Sequence, residues 1–337
     1  MWGPPGGEKR RILSGMRPTA RLHLGNLEGA LRLWTELQHE QECFFLIADW
    51  HALTTGYQHT DRHRALVREM ALDWLAAGLD PKASVIFVQS DVPAHAELAL
   101  LLSMITPVPW LERSVTYKEW LSEPEVARAA GLGLLGYPVL QAADILLYRA
   151  TEVPVGKDQS QHIEMTRDIA GRFNHLFGEV FPEPEARHSE HPILPGTDGR
   201  KMSATQGNAI YLGDPAGVIE RKVSSMFTDP AKVYKGDKGH PERCPVFALH
   251  GCYTRARLAE IRDGCSSGAL GCVECKTELA GAVVAGLAPF RRRREALAAD
   301  PGALEDILED GARKARGVSE ETLARVRDAM GLWPRAT

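Results

Sequence analysis

Arg11-Ile12-Leu13-Ser14-Gly15-Met16-Arg17-Pro18 opens the part of the chain that decides its fold, and it leads into His23-Leu24-Gly25-Asn26. Arg11 to Ser14 reads as a first strand, and Gly25 to Gln38 as the helix that follows it. Between them lies a turn-rich stretch, Ser14 to Pro18. The same alternation then continues. Phe44-Phe45-Leu46-Ile47-Ala48 is a short apolar run bounded by Cys43 and Asp49, as expected of a strand buried on both faces. Leu66, Val67, Met70, Ala71, Trp74 and Leu75 recur at helical spacing, and Gly78 and Pro81 end that helix. Val85-Ile86-Phe87-Val88 is the next buried strand. Strand–helix–strand alternation predicts an α/β fold, a parallel sheet wrapped by helices. Ligands on such sheets bind beyond the carboxyl ends of the strands. That singles out Ser14 onward, Asp49-Trp50-His51 and Gln89-Ser90-Asp91.

Two distant motifs complete each other chemically. In His23-Leu24-Gly25-Asn26, at the start of a helix, a His and an Asn can donate hydrogen bonds to a polyphosphate, and Gly25 lets a ligand approach the backbone. Lys201-Met202-Ser203 follows Pro195-Gly196-Thr197-Asp198-Gly199-Arg200. A lysine on a Gly-flanked loop can neutralise the charge that builds up when an α-phosphate is attacked. Val155-Gly156-Lys157-Asp158-Gln159 is a third polar cluster beside a glycine. No Walker-type loop and no dinucleotide fingerprint follows a strand. Alone, His23 reads as well as a capping or core histidine. Together the motifs read as a nucleotidyl-transfer site that activates a carboxylate with ATP.

Composition sets the frame. The 337 residues are 44% hydrophobic and 25% charged, with a net charge of −4, as in ordinary soluble globular proteins. Nothing in that balance demands nucleic acid or an anionic membrane. No apolar run approaches the roughly 20 residues of a spanning helix. Residues 1–10 read as a disordered tail without a signal core, so a cytoplasmic chain with no membrane partner is expected. Strand signals fade after the Lys201 loop, which places a domain boundary near residue 205. A Rossmann-like catalytic domain is expected over 11–205, and a helical domain over 206–337.

Five of the six cysteines lie between residues 244 and 275. Disulfides are not expected in a cytoplasmic chain. Cys244, Cys265, Cys272 and Cys275 give four thiolates in loop-like context, and the last two form a C-x2-C pair that brings two sulfurs onto one metal. An all-thiolate set suits zinc or an iron–sulfur cluster. Cys252 is a rival first ligand, and Cys43 reads as a core residue.

The chain resembles the class I aminoacyl-tRNA synthetases, and most closely the bacterial tryptophanyl-tRNA synthetases. His23-Leu24-Gly25-Asn26 resembles their HIGH motif, and Lys201-Met202-Ser203-Ala204-Thr205 their KMSKS motif. Ser14 to Thr19, Asp49-Trp50-His51-Ala52-Leu53-Thr54, Tyr137 to Leu146, Val155 to Gln159, Gln161-His162-Ile163-Glu164 and Ala329-Met330-Gly331-Leu332 are further signatures. The resemblance runs from about residue 11 to 333. Two positions depart from the pattern. Ala204 replaces a lysine of the loop, so one cation is missing, with Arg200 a candidate substitute. Lys157 replaces a glutamate, and reads as a partial compensation.

The resemblance implies roles. Arg17, His23, Gly25, Asn26, Gly156, Asp158, Lys201, Met202 and Ser203 would bind ATP with its Mg2+, and His23, Asn26, Lys201 and Ser203 would be catalytic. Tryptophan has one polar handle, an N–H that can only donate. A selective pocket therefore needs one buried acceptor, and Asp144 is the obvious one. His51, Tyr137, Gln141, Val155 and Gln159 would complete that pocket. The cysteine segment resembles the subgroup that carries a 4Fe-4S cluster, with zinc as the alternative. A homodimer is implied, with a helical insertion over about 93–140 at its interface, and tRNA(Trp) as partner. The basic runs Arg291 to Arg294 and Arg313 to Arg316 are candidates for tRNA phosphates, or else solvated helix faces. The competing readings are a tyrosyl enzyme, another adenylate-forming nucleotidyltransferase, and a catalytically weak paralogue that binds tryptophan or RNA.

Overall fold

The computed structural model of the chain describes residues 10–156, 160–188 and 193–333. Lys157, Asp158 and Gln159 lie outside the described residues, as does the expected tail up to residue 9. Among the described residues, five strands form one sheet in the order β3-β2-β1-β4-β5, every neighbouring pair parallel. They are β1 (Arg11–Met16), β2 (Glu42–Ile47), β3 (Ser84–Val88), β4 (Glu152–Val155) and β5 (Glu185–His188). The chain builds one half outward from β1, then crosses to the other side of it. The turnover between β1 and β4 is where such a sheet opens a ligand crevice.

The β1–β4 seam is sparse. Ile12 pairs with Glu152, and further along the Ser14 hydroxyl donates to the Pro154 carbonyl at 3.1 Å. Pro154 has no N–H to add to the ladder. The β1–β2 seam, by contrast, is paired from Arg11–Glu42 to Met16–Ile47. β1 is therefore laddered to β2 along its length but to β4 at few points, beside the crevice.

The three strands read from sequence are all present. The remaining two were not read, because Glu152-Val153-Pro154-Val155 carries a proline and Glu185-Ala186-Arg187-His188 lacks an apolar run. The helix expected from Gly25 to Gln38 is a composite. An α-turn at Leu24–Asn26 passes into a π-turn at Leu27–Leu31 and then into the helix Arg32–Leu37. Such wide turns are rare and often sit at functional sites.

Both faces of the sheet are covered. On one, Trp34 stacks on Phe45 at 4.8 Å and meets Trp74 edge-on at 5.1 Å. On the other, Phe44 stacks on Tyr148 at 4.8 Å. The helix Cys272–Ala298 adds Leu279, Val283 and Leu287 to the first core. The helix Pro301–Ala329 adds Ala312, Ala315 and Leu323 to the second. The boundary expected near residue 205 therefore does not divide the core.

Candidate functional site

The two motifs read from sequence meet. Leu24 N–H donates to the Ile210 carbonyl at 3.0 Å, Leu212 N–H donates to the Leu22 carbonyl at 3.0 Å, and His23 bridges to Tyr211. The segment that follows the Lys201 loop is thus laid against the start of the first helix. A methyl on Gly25 would press on the His23 ring at 3.0 Å and stand 3.7 Å from Met202, so the glycine sits where the motifs touch. Met202 itself is buried in the core, so its side chain anchors the loop and only its backbone can meet a ligand.

His23 is half-buried, and its Nδ1 has no hydrogen-bond partner. Burial, then the nearby Lys201 cation, pull its pKa down to about 4. At neutral pH it is an uncharged imidazole. Asn26 accepts from the His23 backbone N–H at 3.0 Å, which leaves its amide N–H groups to donate. The Lys201 loop is knotted by Asn208. This residue donates to Asp198 Oδ1 at 2.7 Å and to the Lys201 carbonyl at 3.1 Å, and accepts from Ser203 N–H at 2.8 Å. Lys201 is exposed. Arg200, the candidate substitute cation, is exposed and paired with Asp198 at 2.7 Å.

A cavity of about 470 Å³ opens at the β1–β4 crevice, a size that suits a small molecule. Gly15 and Arg17 from the end of β1 and Val155 and Gly156 from β4 line it, as do His51, Tyr137, Gln141 and Asp144. Arg17 lies over the Trp120 ring at 5.4 Å. The Tyr137 hydroxyl is engaged by His162 Nε2 at 2.5 Å and Ser114 at 3.2 Å. Asp144 comes from the helix Leu132–Leu147 and is 3% exposed. Burial would raise its pKa, but hydrogen bonds from His51 and His95 outweigh that and hold it at about 2. His51 Nε2 stands 2.9 Å from Oδ2, and Gln89 donates to Oδ1 at 2.7 Å. Gln89, His95 and Tyr148 were not among the candidate residues. Gln89 lay at a strand end worth inspecting, whereas nothing in the local sequence marks His95 or Tyr148.

Cys244, Cys265, Cys272 and Cys275 line a second, small cavity with Lys232 and Leu270. The expectation that they sit on loops holds for Cys244, which lies between Arg243 and the helix Pro245–Tyr253, and is corrected for the other three. Cys265 lies in the last turn of the helix Leu258–Ser267, and Cys272 and Cys275 occupy the first turn of Cys272–Ala298, where that spacing puts them on one face. Burial and the three neighbouring thiols push Cys275 up to about 12. Cys252 is not at this cavity. Burial, then Glu28, raise it to about 11. Among the described residues no group of three or more His, Cys, Asp or Glu is placed to hold a single metal ion.

Members of both basic runs are bonded within the fold. Arg294 pairs with Asp73 at 2.6 Å, Arg293 donates to the Ala76 carbonyl at 2.7 Å and Arg291 to the Val284 carbonyl at 2.9 Å. Lys314 pairs with Asp310 at 2.7 Å, and Arg316 donates to the Asp91 carbonyl at 2.8 Å. Arg293, Arg294 and Arg316 thus tie their helices to neighbouring elements, Arg291 and Lys314 bond within their own helices, and Arg292, Arg293, Arg313, Lys314 and Arg316 remain exposed.

Parallel sheet, crevice and paired motifs define a class I nucleotidyl-transfer fold. The family model described as tRNA synthetases class I (W and Y) matches residues 6–288, and the chain belongs to that family. It is 50% identical to a tryptophan–tRNA ligase from Thermotoga maritima, over 96% of this chain and 99% of that one. It is 43% identical to a tryptophan–tRNA ligase from Aquifex aeolicus, over 96% of this chain and all of that one, 100%. A tryptophanyl-tRNA synthetase from Campylobacter jejuni, solved with ADP and tryptophan, superposes with a TM-score of 0.85 at 36% identity, covering 96% of this chain and 100% of that one.

Proposed function

We infer that the chain is a tryptophan–tRNA ligase. One observation carries the choice of amino acid: a buried carboxylate, Asp144, lines the crevice cavity and is held ionised there. An indole N–H is a donor that such an acceptor rewards, and phenylalanine would leave it unmatched. The tryptophan carboxylate attacks the α-phosphorus of ATP, giving tryptophanyl-adenylate and pyrophosphate. A ribose hydroxyl at the tRNA 3' end then attacks the adenylate and releases AMP. Catalysis needs position and charge stabilisation rather than a protein nucleophile. His23 as a neutral donor, Asn26, Lys201 and Ser203 would act on the phosphates. Arg17, Gly25, Gly156 and the Met202 backbone would complete the ATP site, with Asp158 from outside the described residues. Mg2+ would arrive on the nucleotide, held by phosphates and water. His51, Tyr137, Gln141, Val155 and Gln159 would frame the amino acid. Tryptophan-dependent ATP–pyrophosphate exchange tests this reading. A catalytically weak paralogue is the second reading. It rests on Ala204 together with the pairing of Arg200 with Asp198.

The four cysteines that line one cavity would be the ligands of a 4Fe-4S cluster, with zinc as the alternative. Burial raises the pKa of Cys265 and Cys275, so these two thiols stay protonated until a cation binds. Cys244 would be the first ligand, since it lines the cavity and Cys252 does not. The helical region over 206–337 would face tRNA(Trp). Tyr234 is 75% exposed there, on a turn whose Val233 and Tyr234 N–H groups donate to Asp237, and it offers a ring on which a base can stack. A homodimer through the 93–140 insertion is supported by exposed Leu100, Met104, Val108 and Leu132. No described helix is long and apolar enough to cross a membrane, and a cytoplasmic location is proposed.

A further inference from the structure

Behind Asp144 runs a buried hydrogen-bonded chain that belongs to none of the motifs. Gln89 Nε2 and His95 Nδ1 each stand 2.7 Å from Oδ1. His95 Nε2 is 2.8 Å from the Tyr148 hydroxyl. Gln89, His95 and Tyr148 are each 0% exposed. None of them lines the crevice cavity, whereas Asp144 and His51 do. Oδ1 therefore faces the protein, and Oδ2, with His51 at 2.9 Å, faces the cavity side.

A carboxylate offers about four lone-pair sites, two on each oxygen. Gln89 and His95 fill both sites on Oδ1. His51 fills one on Oδ2. One site remains, on the oxygen nearest the ligand. Tyr148 fixes the direction of the chain. Phe44 stacks on its ring at 4.8 Å and Phe87 packs at 5.5 Å. So enclosed, the phenol donates to His95 Nε2. That makes Nε2 the acceptor and places the ring proton on Nδ1, pointing at Oδ1.

We propose that Gln89, His95 and Tyr148 are positioning residues for amino-acid selection: they saturate Oδ1 of Asp144 and leave one Oδ2 site for the N–H of an indole. The inference rests on the reading of Asp144 as the indole acceptor. A freely turning carboxylate would satisfy itself with water or with other donors. A carboxylate locked on its far side offers a single directed site.

The test compares tryptophan with its benzothiophene isostere, in which sulfur replaces the N–H, in ATP–pyrophosphate exchange. The parent protein should strongly prefer tryptophan. His95→Leu should lower that preference at least tenfold, through a higher KM for tryptophan, with the KM for ATP unchanged. His95→Asn, whose amide can still reach Oδ1, should restore most of it. Tyr148→Phe should give an intermediate loss. A merely structural role would weaken both amino acids and ATP alike. A folded His95→Leu protein that keeps the parent preference overturns the proposal. If His95→Leu does not fold, Tyr148→Phe with an unchanged preference does the same. A parent that exchanges with both amino acids equally overturns the Asp144 reading, and the relay with it. A parent with no exchange at all overturns the functional reading itself.

Discussion

His23 combines an unpartnered Nδ1 with two influences that oppose its protonation, burial first and Lys201 second. Its pKa of about 4 lies below the ordinary 6.5, so the ring is neutral throughout the physiological range. Followed by NMR and assigned by loss of its signal in His23→Asn, the ring should not titrate between pH 8 and pH 5. Removing the cation in Lys201→Ala should move the midpoint upward. A parent midpoint near 6.5, unmoved in Lys201→Ala, would contradict this. Residues such as His23, Asp144 and Lys201 were legible in the sequence because their motifs are local. Asp144's partner His95, and Tyr148 behind that ring, were not, since folding alone brings them together.

Elements show the same division. β1, β2 and β3 could be read because each is an apolar run in a strand–helix–strand rhythm, and burial on both faces enforces such a run. β4 escaped because its proline, which lines the crevice cavity, interrupts the pattern. The basic run Arg291 to Arg294 was ambiguous for a physical reason: sequence shows charge but not the carboxylates across the helix interface. Helix packing itself gives a test with two signs. Gly311 lies where the helix Pro301–Ala329 crosses β3, and a methyl there would overlap the Ile86 carbonyl. Gly317, in the same helix, has nothing within 4 Å. In urea unfolding, Gly311→Ala should cost about 3 kcal/mol by overpacking. Gly317→Ala should gain about 1 kcal/mol through helix propensity. Equal small effects at both sites would mean that the helix does not press on the strand.

At the scale of the whole molecule, the sheet positions the chemistry and the helices behind residue 205 share its core. The cysteine cavity lies in those helices. Protein purified without oxygen should contain iron and acid-labile sulfide at about four each per chain. Cys275→Ser should lose both, and Cys252→Ser should keep both. Stoichiometric zinc with no sulfide would contradict the cluster. The central claim concerns the crevice, and ATP–pyrophosphate exchange reads it most directly. Exchange that depends on tryptophan, and is absent with tyrosine, is the expected result for the parent protein. Folded protein that binds tryptophan but supports no exchange with either amino acid would contradict it, and would leave a binding paralogue in its place.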